Sequence, residues 1–288
     1  MGSLDGKTAF ITGGGSGIGR GIAERFARDG ADVFVVDVDD DGAAGTAEIV
    51  TGLGRRAGTF HGNVASKPHL QEAVEQCVGS LGRLDIVVAN AGIGRPASVL
   101  DQELKDWQDQ LDINLTGVFL TVQVTARRMV ELGGGGRIIC MSSLAAENTS
   151  PEMFAYSATK AAVRMMVRAW SQDLGRHGIT VNAIGPGIIE TPLARGLAGD
   201  EGSRVRGAVE SMTPAGRVGR PSDIAGLASF MAGPDGEFMT GAYVLMDGGL
   251  RDARPGWQPD ADTAQEMQRY VQAAEERRRR MQPWLDER

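Results

Sequence analysis

Apolar residues along the first ninety positions follow two alternating rhythms. Short, nearly unbroken runs at Lys7–Thr12, Asp32–Asp37, Ala57–Gly62 and Leu84–Ala89 have the length and β-branched content of strands. Between them, Ile18–Asp29, Gly42–Leu53 and Pro68–Leu81 repeat apolar positions at helical spacing. After a longer helical region the rhythm resumes, with strands at Arg137–Met141, Ile179–Ile184 and Ala242–Met246 and helices at Ala155–His177 and about Pro221–Ala232. Strands joined through helices run parallel and are buried on both sides. The expected class is therefore α/β: a seven-stranded parallel sheet with helices on both faces. Gly133–Gly136 reads as a surface turn before a strand. Two stretches break the rhythm. Gly187–Ala215, rich in Gly, Thr and Pro, reads as a lid, and everything after Gly249 reads as an appendage.

Chemistry enters with "YSATK". Tyr156 and Lys160 are four residues apart, so on a helix they share one face, about 5–6 Å apart at Cβ. The chain has three tyrosines and four lysines, and 26 of its 30 basic residues are Arg, so Lys is seldom used for ordinary surface charge. A compact ammonium sits beside a phenol better than a planar guanidinium does. On these five residues alone, an exposed pair on a solvated helix face stays open.

A second signal follows the first strand. "TGGGSGIG", Thr12 to Gly19, places glycines where a backbone must turn tightly and approach a pyrophosphate at a helix amino terminus. The second strand ends in Asp37, eighteen positions after Gly19, close to the ~20 expected of the acid that binds adenosine ribose hydroxyls. A carboxylate there repels a 2′-phosphate. Val38 and Asp39-Asp40-Asp41 follow it in place of an arginine, and Ser16 precedes Gly17, so NAD is favoured over NADP.

With 288 residues the chain can build one substantial core. Its net charge of −7 argues against nucleic acid and anionic membrane as partners and favours a small molecule. Cys77 and Cys140 read as reduced thiols, no leader or segment of ~18 apolar residues is visible, and a cytoplasmic protein is expected. His61, His69 and His177 lack the company of a zinc site, so no metal is expected.

Over roughly residues 4 to 249 the chain resembles the short-chain dehydrogenase/reductase family. The resemblance rests on "TGGGSGIG", "NAG" at Asn90–Gly92, Asn114 in "DINLTG", Ser143 in "MSSL", "YSATK", Pro186-Gly187 with Thr191 after it, and "DGG" at Asp247–Gly249, in family order. It implies a one-domain, doubly wound Rossmann-like fold over 1–250, with 251–288 as an extension. It also implies a catalytic group of Asn114, Ser143, Tyr156 and Lys160. Carried over to this sequence, the cofactor residues are Gly13, Ser16, Gly17, Ile18, Gly19, Asp37, Asn63, Val64, Asn90, Ala91, Gly92, Pro186, Gly187, Ile189 and Thr191, together with Tyr156 and Lys160. Asn63 departs from the Asp that many relatives carry, and its amide can still hydrogen-bond there.

The implied activity is transfer of a hydride between nicotinamide and a secondary alcohol or ketone. Tyr156 is the general acid/base, its phenolate favoured by the nearby ammonium. Ser143 is expected to hold the substrate oxygen, Lys160 the nicotinamide ribose, Asn114 a water linking Lys160 to solvent, and Thr191 the carboxamide. The family also implies a homo-oligomer, dimer or tetramer, paired through the helices holding Asn114 and Tyr156.

Several rival activities share parts of this pattern. A non-catalytic dinucleotide sensor usually lacks one of the four reactive groups. A nucleotide-sugar epimerase carries a larger carboxy-terminal domain. An acyl-carrier or polyketide-type ketoreductase commonly uses NADP, against which Asp37 speaks, and an enoyl reductase more often spaces its Tyr and Lys further apart. The substrate walls are expected from Gly94–Val99, Leu144–Phe154 and Ile188–Met212. Terpene-like or steroid-like alcohols, polyols and small hydroxy acids all stay open. Arg95 reads more readily as a solvated or ion-paired residue than as an anion clamp.

The tail, Arg251–Arg288, holds eight arginines against eight acids, so its Arg277–Arg280 run reads as a solvated helix end rather than a nucleic-acid patch. Its first part, through Asp262, is expected to be an extended linker. A helix is expected from Thr263, with Glu266 at capping-box spacing, apolar positions at Met267, Tyr270, Val271, Ala274 and Met281, and an end at Pro283. A stripe this thin needs a surface to dock on, and a neighbouring subunit is preferred over the chain's own body.

Overall fold

A computed structural model describes the backbone of residues 2–252 and 261–286. It contains the seven-stranded sheet: β1 Thr8–Thr12, β2 Asp32–Asp37, β3 Ala57–His61, β4 Ile86–Ala89, β5 Gly136–Met141, β6 Ile179–Pro186 and β7 Tyr243–Met246. All pairings are parallel, in the order β3-β2-β1-β4-β5-β6-β7.

Side chains alternate across each strand, so one strand feeds two cores. Phe10 of β1 and Val87 of β4 point to the side covered by α3 Lys67–Leu81, α5 Gly117–Leu132 and α6 Phe154–Gly175. Ile11 and Val88 point to the opposite side, under α1 Gly17–Arg28, α2 Asp40–Gly52 and α9 Pro221–Ala232. This is the doubly wound arrangement. Its chain order reverses between β1 and β4, where the carboxyl ends of the two strands open a crevice of the kind that binds ligands.

Local sequence sets the helix ends. The Asp39 carboxylate accepts from Gly42 N at 3.1 Å at the start of α2, Ser66 and Pro68 start α3, and left-handed glycines close α3 at Gly82 and α5 at Gly133. The turn expected at Gly133–Gly136 yields its last residue to β5.

Three elements depart from the sequence pattern. The long helical region after β4 is α4 Leu104–Leu111, a π-helical turn Asp112–Thr116 and then α5. The Gly187–Ala215 stretch contains two helices, α7 Arg195–Ala198 and α8 Arg204–Met212, because Ala198, Val205 and Val209 are buried there, two of them in a small core with Val218. The tail helix α10 spans Ala261–Asp286, starting before Thr263 and running through Pro283, whose fixed φ is compatible with helix.

The linker expected before α10 falls mostly on residues 253–260, outside the described residues, as does the side chain of Met281. α10 packs on its own chain, the other surface weighed for it. Tyr270 lies against Gly196 of α7, and its hydroxyl donates to Asp200 Oδ2 at 3.0 Å and accepts from Asp200 N at 3.1 Å.

Candidate active site

The crevice at the strand reversal opens into a cleft of about 1540 Å³. Its floor is the loop after β1. Gly17 has φ 53, a left-handed conformation that a side chain resists, and a Cβ at Gly19 would stand 2.2 Å from Gly13 O. The second and fourth strands brace the loop. Gly13 N donates to Val36 O at 2.8 Å, and the Asn90 amide donates to Thr12 O at 3.1 Å and Gly13 O at 2.9 Å.

Asp37 closes the far end of the loop. Its carboxylate accepts from Gly15 N at 2.8 Å and Asp39 N at 3.0 Å, while burial pushes its pKa up against those hydrogen bonds. Arg20, which the motif reading passed over, donates to the carbonyls of Gly15 and Gly42 and to Thr46 Oγ1, so its charge stiffens the loop from beneath.

The remaining cofactor candidates gather on the same cleft. Ser16, Ile18, Asn63, Val64, Ala91, Gly92, Pro186, Gly187, Ile189 and Thr191 all line it. Asn63 Oδ1 accepts from Ala65 N at 2.9 Å, which fixes the turn after β3. Thr191 stands across from the glycine loop, 3.1 Å from where a Gly17 Cβ would lie, and its hydroxyl accepts from Ala194 N at 3.2 Å. A tight turn at a helix start and a carboxylate at the second strand fit a dinucleotide.

The four reactive candidates come from three separate segments. Tyr156 and Lys160 share the face of α6 that fronts the cleft, with Lys160 Nζ 5.5 Å from the Tyr156 ring centre. Nζ donates to Met141 O at 2.9 Å and lies 3.6 Å from the position of a Gly92 Cβ, so the two are neighbours. Lys160 is 3 % exposed, and burial pulls its pKa down to about 8.

Burial pushes the Tyr156 phenol up, and a hydrogen bond with the Ser143 side chain opposes this.

Ser143 begins a short 3₁₀ turn after β5, where its Oγ accepts from Ala145 N at 3.1 Å. Its backbone carbonyl accepts from Tyr243 of β7 at 2.7 Å, and Arg164 stacks on the Tyr243 ring at 4.8 Å. Motif reading gave no hint of this support, because Tyr243 lies a hundred residues from Ser143.

Asn114 sits in the π-helical turn, a feature that recurs at functional sites. Its amide is spent on the loop after β4, accepting from Ile93 N and donating to Ile93 O, both at 2.8 Å. These bonds clamp the loop that carries Gly92.

Comparison with known proteins places the geometry in context. A family profile described as Enoyl-(Acyl carrier protein) reductase matches residues 13–251. A 3-oxoacyl-[acyl-carrier-protein] reductase of Thermotoga maritima is 34% identical over 247 residues, covering 86% of this chain and 98% of its own. An L-rhamnose 1-dehydrogenase (NAD(P)(+)) of a Sphingomonas species is 37% identical over 249 residues, covering 86% and 97%. The crystal structure of carveol dehydrogenase from Mycobacterium avium in complex with NAD superposes with a TM-score of 0.82 at 32% identity, covering 87% of this chain and 99% of that one.

Proposed function

The chain belongs to the short-chain dehydrogenase/reductase family, and from that premise we propose that it is an NAD-dependent oxidoreductase that interconverts a secondary alcohol and a ketone. The observation that carries the reading is the convergence of Tyr156, Lys160, Ser143 and the Asn114-clamped loop on one wall of a cleft whose floor is built for a dinucleotide.

When bound, the nicotinamide supplies the hydride acceptor. Tyr156 takes the proton from the alcohol oxygen, and the Ser143 hydroxyl holds that oxygen as charge develops. Lys160, held by Met141 O, presents a positive charge below the ring of Tyr156 and has hydrogen-bonding capacity left for a ribose hydroxyl. Asn114 acts through the backbone: by fixing Ile93 it positions the loop that carries Gly92 beside the ammonium.

The preference for NAD rests on Asp37, whose carboxylate faces the cleft beyond the glycine loop and disfavours a 2′-phosphate. Relatives do not decide this. One carries NAD in its crystal, one is named for both cofactors, and a gluconate 5-dehydrogenase was crystallised with NADP.

We also assign the apolar groove between α5 and α6, formed by Phe119, Val122, Ala126, Val130, Trp170 and Leu174, to a second copy of the chain. Both cysteines are free and buried, in keeping with a reducing cytoplasm.

The test is Tyr156→Phe, measured with a panel of secondary alcohols through NADH absorbance and with NAD binding followed separately. The variant is expected to bind NAD as the parent does and to lose turnover by a factor on the order of 10²–10⁴. Near-parental rates would remove the acid/base assignment, and better turnover with NADP than with NAD in the parent would remove the cofactor assignment.

A further inference from the structure

The substrate end of the cleft has a roof that the family motifs do not explain. α10 crosses it and is tied on both banks. On one bank Asp262 pairs with Arg204 at 2.5 Å and Tyr270 bonds Asp200; on the other, Arg278 reaches Asp106 of α4. Sixteen residues of helix between Asp262 and Arg278 rise about 24 Å, enough to span such an opening.

Beneath the second tie lies Arg95. Its side chain is 9% exposed, and its contacts to Asp106 at 3.6 Å and Asp109 at 3.9 Å are longer than hydrogen bonds. Nε and Nη2 have no acceptor among the described residues. The cluster brings three cations, Arg95, Lys105 and Arg278, against Asp106 and Asp109.

Arg95, Arg277 and Arg278 line the cleft, whereas Asp106 and Asp109 do not; Glu266 and Glu276 of α10 line it as well. Arg277, half-buried, pairs with no acid among the described residues. Buried N–H groups without acceptors are costly until an anion supplies them, and a guanidinium fork matches a carboxylate in two bonds. Arg95 is also close to the chemistry. It follows Gly92 by three residues, so their Cα atoms are within about 11 Å.

We propose that Arg95, together with Arg277 and Arg278 delivered by α10, forms a cationic subsite that selects secondary alcohols and ketones carrying a carboxylate a few bonds from the reacting carbon. This names the substrate class of the site assigned above and rests on that reading.

The test compares 3-hydroxybutyrate and 4-hydroxypentanoate with their methyl esters in NAD-dependent oxidation by the full chain. It is repeated with Arg277→Gln and with the double variant Arg95→Leu, Asp106→Asn, which removes one charge of each sign and so leaves the cluster's net charge unchanged. In parallel, NAD-loaded protein is titrated calorimetrically with butyrate, pentanoate and inorganic phosphate.

The acids are expected to exceed their esters in kcat/KM by about 10- to 100-fold. That preference should shrink a few-fold in Arg277→Gln and vanish in the double variant, with NAD affinity unchanged. Butyrate and pentanoate should bind the native protein and not the double variant. Esters turned over as well as acids, a preference that survives the double variant, or binding of phosphate in place of the carboxylates would each overturn the subsite while NAD binding leaves the oxidoreductase reading standing. Failure of the native protein to bind NAD would remove both.

Discussion

At the scale of single residues, the sequence carried identities further than states. Tyr156, Lys160, Ser143 and Asn114 were readable because their spacing and motif order are properties of the chain itself, and the fold brings all four to one cleft or its supporting loop. What each side chain spends its hydrogen bonds on was not readable, since Met141 O and the Ile93 backbone reach Lys160 and Asn114 only after folding. Lys160 turns that difference into a measurement. Its folded pKa is about 8, against about 10.4 in an unfolded chain, so between those values the unfolded state binds more protons. The cost of burying the charged amine is therefore fully present below pH 8 and is relieved as pH rises. In melts of ligand-free protein, the parent should gain stability relative to Lys160→Met from pH 8 to pH 10, with no change in the difference from pH 6 to pH 7. A difference that stays flat or falls through the upper window would show that the amine is not desolvated.

At the scale of elements, the alternation of strand and helix rhythms was legible because buried strands and amphipathic helices are local patterns, each repeated down the chain. The elements that escaped, α7, α8, the π-helical turn and the true place of α10, are defined by partners far away: Val209 finds Val218, and Tyr270 finds Asp200. The glycine loop lies between these cases, legible as a motif and explained only by close approach. A Cβ at Gly19 would press on Gly13 O at 2.2 Å and Asn90 Nδ2 at 2.7 Å, two groups that fix the loop, whereas Gly79 in α3 has nothing within 4 Å of its Cβ position. Gly19→Ala should therefore lower stability by about 1–3 kcal/mol and abolish NAD binding. Gly79→Ala should raise stability by about 0.5–1 kcal/mol and leave binding untouched. Thermal melts and NAD titration on the pair check this, and equal behaviour of the two variants would refute the steric account of the loop.

At the scale of the whole molecule, two faces of one helix pair do different work. The inner face of α6 carries Tyr156 and Lys160, and its outer face, with that of α5, leaves Phe119 and Val130 each 39% exposed beside Trp170. Apolar surface gathered into a groove costs solvation that a partner recovers. The charges bordering the groove decide which partner. Arg127 stands on one helix with Glu131 one turn away, and Asp173 stands on the other, so a copy related by a two-fold axis can set acid against base twice. A groove that suited an unrelated acidic or basic partner would carry one sign. Self-association here would also bear on catalysis, because α5 continues from the turn that holds Asn114 and α6 carries the reactive pair, so a partner pressed on their outer faces would stiffen the wall of the cleft. Phe119→Asp places a charge in the centre of the groove without touching either core. Light scattering coupled to size exclusion should find the parent as a dimer or tetramer and the variant shifted to a smaller species, with its melting temperature and turnover both reduced. A parent that runs as a monomer at tens of micromolar, or a variant of unchanged mass, would mean that this groove does not join two copies.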